Sequence, residues 1–460
     1  MKPKLQLTPK NKVKVRASVR LAYVGATFAL AVAVAFLVYY NFGTSEKSIA
    51  NEETVLPGFS KRAPLLISND IIRGKEILTS FPVLIKVQSE ELKHISKGGY
   101  VTHPKGYDIR VTKADGKSIL SSQIEEYIPQ KGELSMWVMI DTLSDKIGRD
   151  LFIYYSNSTI KSELPPVIWS FGYEAVMHLN GNTNPNNTRK IKSTQSGTSD
   201  ALGKISSGKL FSSDRKDFVT YNYARETDLS GDFTLSAWIY LNELNKKQVI
   251  ISNQGDQPGG YCMFIDQNNT LNASFYNASG KLIQFSETQR GETLEKNRWY
   301  HISVVFSTGE KTMTSYVDGI TDKTNQVIDI PHPSAAELQL GRIQFDNESY
   351  FSGIIDEVRI SSVARSQLWL ATVFYNESLA DKLFSLGNSE ELSLSAQLTK
   401  ENKTAILESD KNELDKNASN NTLRSNKGGG NSQIPGVISN NAEVIQARLN
   451  NIKRVAEENN

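Results

Sequence analysis

The stretch WYHISVVFSTGEKTMTSYVDG, residues 299–319, sets the architecture of this 460-residue chain. It reads as a β-hairpin whose tip is Ser307-Thr308-Gly309-Glu310-Lys311. With a period of two, Ile302, Val304 and Phe306 share a face and can pair with Met313, Ser315 and Val317 on the returning strand. FTLSAWIYL (233–241) alternates the same way. Phe233, Leu235, Ala237, Ile239 and Leu241 fall on one side, and Trp238 and Tyr240 on the other. LQLGRI (338–343) and FSGIIDEVRISSVARS (351–366) extend the series. Many short strands joined by Gly- and Asn-rich turns predict a two-sheet sandwich.

Towards the N-terminus, ELPPVIW (163–169) is a proline-stiffened junction, and a second set of strands precedes it. FPVLIKV (81–87) is a compact apolar run. GYDIRVTKADGKSIL (106–120) carries the hairpin signal Asp115-Gly116. In GELSMWVMIDTL (132–143), Leu134, Met136, Val138 and Ile140 share one face and Trp137 takes the other. FIYYSN (152–157) closes a small all-β domain.

Charge and hydropathy organise the ends. The chain has 52 Lys+Arg and 50 Asp+Glu, a net charge of +2. The first twenty residues carry Lys2, Lys4, Lys10, Lys12, Lys14, Arg16 and Arg20 and no acid, so a +7 arm leaves −5 on the remainder. An acidic body does not suit nucleic acid, whose binding needs clustered Lys and Arg. LAYVGATFALAVAVAFLVYYNF (21–42) has no Asp, Glu, Lys, Arg or His. As a helix it is roughly 33 Å long, enough to cross a bilayer, and is read as an uncleaved signal-anchor. The basic arm 1–20 predicts a cytoplasmic N-terminus, with 43–460 outside the inner membrane, in the periplasm or at the cell surface. Residues 43–60, with Pro57-Gly58, read as a linker. After Phe384 there is no aromatic residue, and 386–439 read as a disordered tail. In 440–460, Ile445, Leu449, Ile452 and Ala456 form the stripe of a short amphipathic helix that could dock on a membrane-complex partner. The single Cys262 excludes an intrachain disulfide framework and a lipoprotein anchor.

Two resemblances sharpen the β regions. FPVLIKV, GYDIRVTKADGKSIL, IEEY, MWVMIDTL and FIYYSN together resemble a bacterial exported domain of unknown function that often precedes laminin-G-like domains. That resemblance implies architecture, for residues 61–160, and no activity. The order AVMHLN, FTLSAWIYL, WYHISVVF, SYVDG, LQLGRI and GIIDEVRISSVARS resembles the laminin-G-like branch of the concanavalin A-like lectin/glucanase jelly rolls. It implies a jelly-roll β-sandwich over 168–385. The expected fold class is therefore mostly β, with one N-terminal transmembrane helix.

The resemblance directs the search for chemistry. Trp238 and Tyr240, opposite the core face of their strand, could line an open sheet and stack on a sugar. Some laminin-G-like relatives bind calcium at a sandwich rim, and Asp318 and Asp356 stand at the corresponding acidic positions. Glycoside hydrolysis needs two carboxyl groups about 5–10 Å apart. Glu226-Thr227-Asp228 and Asp346-Asn347-Glu348 supply only pairs, in polar loop-like stretches. The five histidines, His94, His103, His178, His301 and His332, show no metal-binding spacing. His178 and His301 read as packed strand residues. The expectation is a membrane-anchored cell-envelope protein that binds a glycan or an envelope protein without catalysis. The alternatives are a glycoside hydrolase-like enzyme and an accessory subunit of a proton-channel-type motor or transport complex.

Overall fold

The alternation of residues 299–319 builds the expected hairpin: Ile302 lies opposite Val317, Val304 opposite Ser315 and Phe306 opposite Met313. The computed structural model describes residues 55–392 apart from 73–76, 145–149, 166, 188–189, 287–288 and 290. The expected membrane segment 21–42, the expected tail beyond 392 and the expected helix at 440–460 lie outside the described residues. Among those described, no helix is long and apolar enough to cross a membrane.

Two sheets face each other across the larger domain. One has eight strands, ordered Ile320–Gln326, Thr312–Val317, Trp299–Ser307, Phe233–Leu241, Gly353–Ser361, Ser207–Phe211 and Ser199–Leu202, with Tyr173–Met177 also paired to Gly353–Ser361. The other has seven, running from Leu282–Gln284 to Ser193–Ser196. Phe233, Leu235, Ala237, Ile239 and Leu241 point between them and pack with residues such as Tyr261, Met263 and Phe275. The polar stretch 180–200 is held by its own amides. Asn187 Oδ1 accepts from the Val176 N–H and Asn184 Oδ1 from that of Ser193.

The smaller domain is also two-layered. Leu78–Gln88, Glu133–Leu143 and Ser122–Ile128 form one sheet; Lys61–Ile67, Asp150–Tyr155 and Arg110–Lys113 form most of the other. That second sheet is completed from the far end of the chain. Phe384–Leu386 and Glu390–Glu391 both pair with Lys61–Ile67. The sequence boundaries, a small domain over 61–160 and a jelly roll over 168–385, are corrected accordingly. Residues 384–391 belong to the first domain's sheet. These strands are too short to show a period, which is why the sequence does not announce them.

Between the jelly roll and those strands the chain forms a helix, Gln367–Ser378, that the strand-based reading does not contain. Ser366 Oγ caps it by accepting from the Trp369 N–H. Its residues are apolar on several faces because it is covered on both sides. Trp369, Leu370 and Val373 enter the small domain's core with Phe81, and Phe374 lies against Trp238, with ring centres 5.7 Å apart. Asn376 closes the open edge of the Leu78–Gln88 strand. Its Oδ1 accepts from the Leu84 N–H at 2.8 Å, and its Nδ2 donates to the Leu84 carbonyl at 2.9 Å. One side chain thus does the work of a neighbouring strand.

The small domain therefore depends on the returning segment. Residues 55–165 expressed alone are expected to lack a cooperative melt and dispersed amide resonances, since Phe81 and Leu84 lose their cover. A sharp two-state melt of that fragment would contradict this. In the whole chain, Asn376→Ala is expected to lower stability by about 1–3 kcal/mol in urea unfolding, by leaving the Leu84 amide groups unpaired.

Candidate functional site: a buried charged seam between the two β domains

The outer face of the eight-stranded sheet is where the domains meet, and it is lined with ionisable groups. Strict alternation along Gly353–Ser361 would send Glu357 into the sandwich core beside Ile355. Instead a β-bulge opposite Ala237 intervenes, and Glu357 adopts φ = 50°. The bulge puts Ile355, Val358 and Ile360 in the core and leaves Asp356, Glu357 and Arg359 to the seam.

Arg359 is at the centre. Its Nη2 donates to Glu357 Oε2 at 2.8 Å and its Nη1 to Glu377 Oε1 at 2.6 Å. Glu377, on the Gln367–Ser378 helix, also accepts from Trp238 Nε1. The guanidinium lies 4.8 Å and 5.2 Å from the ring centres of Trp137 and Trp169. Trp137, which the sequence places on the unpaired face of its strand, therefore closes the seam from the small domain's side.

His178 follows the Tyr173–Met177 strand. Its Nδ1 is 2.8 Å from Glu357 Oε1 and 3.3 Å from Glu125 Oε2. Glu125 comes from the small domain; Trp137 Nε1 of the same domain donates to it at 3.0 Å, and Asn180 Nδ2 of the jelly roll at 3.1 Å. The side chains of His178, Glu125, Glu357, Arg359 and Glu377 are all nearly fully buried. Burial and the neighbouring Glu357 push the Asp356 carboxyl well above its ordinary pKa. Burial lowers the His178 pKa, but the carboxylates of Glu125 and Glu357 outweigh it and hold the imidazole above its usual value. Burial likewise opposes the Arg359 charge, and Glu377 and Glu357 more than offset it.

The sequence-predicted residues sit as follows. Trp238 is 1% exposed, beneath the helix and bonded to Glu377, so it does not line an open face. Tyr240 is only half-buried and leans on Trp299 at 5.6 Å. Asp356 is buried with its carboxylate consumed: Oδ2 accepts from the Lys204 and Ile205 N–H groups and Oδ1 from that of Glu357. Asp318 opens the turn before Gly319 at φ = 52°, and accepts from the His301 N–H and from Arg298 Nη2, both at 2.9 Å. The two aspartates expected to hold calcium thus each accept hydrogen bonds from their own turn or neighbours. His301 is buried, and burial, with Arg359 and Lys204 nearby, pushes its pKa down to about 3. Cys262 is buried and its thiol is pushed up to about 12 by burial.

An accessible cleft borders the seam. A cavity of about 410 Å³ lies between the Leu78–Gln88 edge and the returning segment, lined by Lys86, Gln88, Glu133, Asp381, Phe384 and Leu386. Lys86 and Asp381 also line an adjoining cavity of about 150 Å³, where Lys204 and Ser206 of the jelly roll join them. Lys204 stands over the Trp238 ring at 4.6 Å.

Family comparisons agree with this division. Residues 105–164 match the model of a domain of unknown function (DUF2341), and residues 213–371 match that of the concanavalin A-like lectin/glucanases superfamily. The chain joins a DUF2341 domain to a concanavalin A-like domain. Among solved structures, the binding domain of Paraclostridial Mosquitocidal Protein 1 is similar at 17% identity and a TM-score of 0.37, over 44% of this chain and 52% of that one. The binding domain of botulinum neurotoxin serotype G gives 12% identity and a TM-score of 0.37, over 45% and 51%. Domain 4 of AbnA, a GH43 extracellular arabinanase from Geobacillus stearothermophilus, solved with arabinotriose, gives 15% and 0.34, over 44% and 97%. The matched region spans about half the length of the two toxin domains. No curated protein matches the chain.

Removing the central cation exposes the seam's dependence on it. Arg359→Met is expected to destabilise the protein by about 3–5 kcal/mol, by stranding the Glu357 and Glu377 charges. Urea unfolding measures this, and a change below about 1 kcal/mol would show that the network is dispensable.

Proposed function

We propose that this chain is a membrane-anchored binding protein of the cell envelope, non-catalytic, whose concanavalin A-like domain recognises a glycan or an envelope protein. In this reading residues 21–42 cross the inner membrane and the β domains lie outside it. The observation that carries it is how the lectin-fold domain disposes of its acids. Glu226 pairs with Lys190 at 2.6 Å, and Asp228 Oδ1 accepts from the Ser334 N–H. Asp346 Oδ1 accepts from the Glu348 and Ser349 N–H groups, an Asx-type turn. These acids, weighed as glycosidase carboxylates, are occupied in shaping loops.

The ligand is assigned to the two adjoining cavities beside the seam, because Trp238 is sealed away: Lys204 and Ser206 of the concanavalin A-like domain meet Lys86 and Asp381 in the smaller one. The larger has a volume in the range of small-ligand sites, and its wall combines Lys86, Gln88 and Asp381 with the apolar Phe384 and Leu386. On a glycan array the purified chain is expected to bind without releasing product. Lys86→Glu is expected to weaken that binding at least about tenfold. Hydrolysis of any polysaccharide would overturn the non-catalytic reading, and binding indifferent to Lys86 would move the site out of the cleft.

A further inference from the structure

Glu125, His178 and Glu357 come from three separate strand regions and two domains, and their ligand atoms all lie within 4.8 Å of one another. We propose that this triad binds one divalent cation of borderline, zinc-like character, built into the seam between the domains. One imidazole nitrogen and two carboxylate oxygens are the three protein ligands of an open tetrahedral site. Ligand atoms about 2.0–2.1 Å from a shared ion stand about 3.3 Å apart. His178 Nδ1 is 3.3 Å from Glu125, at that spacing, and 2.8 Å from Glu357, about half an ångström short of it.

Charge, geometry and outer contacts point the same way. The carboxyl groups of Glu125, Glu357 and Glu377 are buried here beside the Arg359 guanidinium and the His178 imidazole, and a buried carboxylate calls for a partner. The single nitrogen Nδ1 faces both carboxylates, and its one proton would lie along the shorter line to Glu357. A cation at that point satisfies both. Each carboxylate also has an outer hydrogen bond: Asn180 donates to Glu125 Oε1 and Trp137 to the Oε2 that faces His178, while Arg359 donates to Glu357 Oε2, and both Glu357 oxygens lie near His178 Nδ1, Oε1 at 2.8 Å and Oε2 at 3.0 Å. Such outer hydrogen bonds are what orient metal ligands. The buried His178 Nε2 has no hydrogen-bond partner among the described residues, so the ring's polar engagement is through Nδ1 alone. Because Glu125 belongs to one domain and His178 and Glu357 to the other, the ion would cross-link them.

The test uses the full chain, produced in zinc-supplemented medium and purified without chelators. Elemental mass spectrometry is expected to find about one zinc per chain after gel filtration. Protein from zinc-depleted medium is expected to melt about 5 °C lower or more. Glu125→Gln and His178→Gln are each expected to lower the retained zinc at least about tenfold. Should the variants not fold, X-ray absorption on the zinc-loaded native chain decides: a single imidazole with oxygen ligands is expected, and sulfur or two imidazoles would overturn the site. Fewer than about 0.1 zinc per native chain, or a folded His178→Gln variant that keeps its zinc, would also overturn it.

Discussion

A guanidinium buried to 3% exposure must be paired, and the pairing of Arg359 constrains the rest of the molecule. One partner, Glu357, is two residues away on the same face, and the bulge turns that face towards the seam rather than the core. The other, Glu377, comes from the helix that follows the jelly roll. To deliver Glu377, that helix lies across the outer face of the eight-stranded sheet. In that position it also presents Asn376 to the Leu84 backbone and Trp369 to the small domain's core. The chain then continues into the strands that complete the first sheet. Two domains that look sequential are in this way interleaved.

Much of this was legible in the sequence. Period-two alternation marked the strands at 233–241 and 299–317 together with their inward faces, because a half-buried sheet imposes that pattern on each residue. Applied to GIIDEVRI, the same rule would misplace Glu357, since a bulge breaks the alternation there and no residue in the stretch signals one. Trp238 was correctly assigned to the face opposite the core. What covers that face could not be read, because the cover is a helix without a single polar side and is held by contacts more than a hundred residues away. His178 read as a packed histidine, and it is one; its two carboxylate neighbours are distant in sequence and meet only through tertiary structure. The short strands at 384–391 carry no local signal and exist through pairing alone.

The interleaving bears on function. A two-sheet sandwich has two outer sheet faces, and here one is covered by the neighbouring domain and the Gln367–Ser378 helix. Trp238, which the sequence offers as a recognition surface with Tyr240, is buried there and bonded to Glu377. In the cleft proposed for the ligand, the small domain and the returning segment line the larger cavity, and Lys204 and Ser206 of the jelly roll join them in the smaller one. A ligand held there would depend on the relation between the domains as much as on either one.

The central claim is that residues 55–392 fold as one cooperative unit clasped by Arg359, the returning helix and the terminal strands. Differential scanning calorimetry of the full chain tests it most directly. The account requires a single transition covering both β domains, with calorimetric and van't Hoff enthalpies in agreement. Two separated transitions, with one domain melting while the other stays folded, would contradict it.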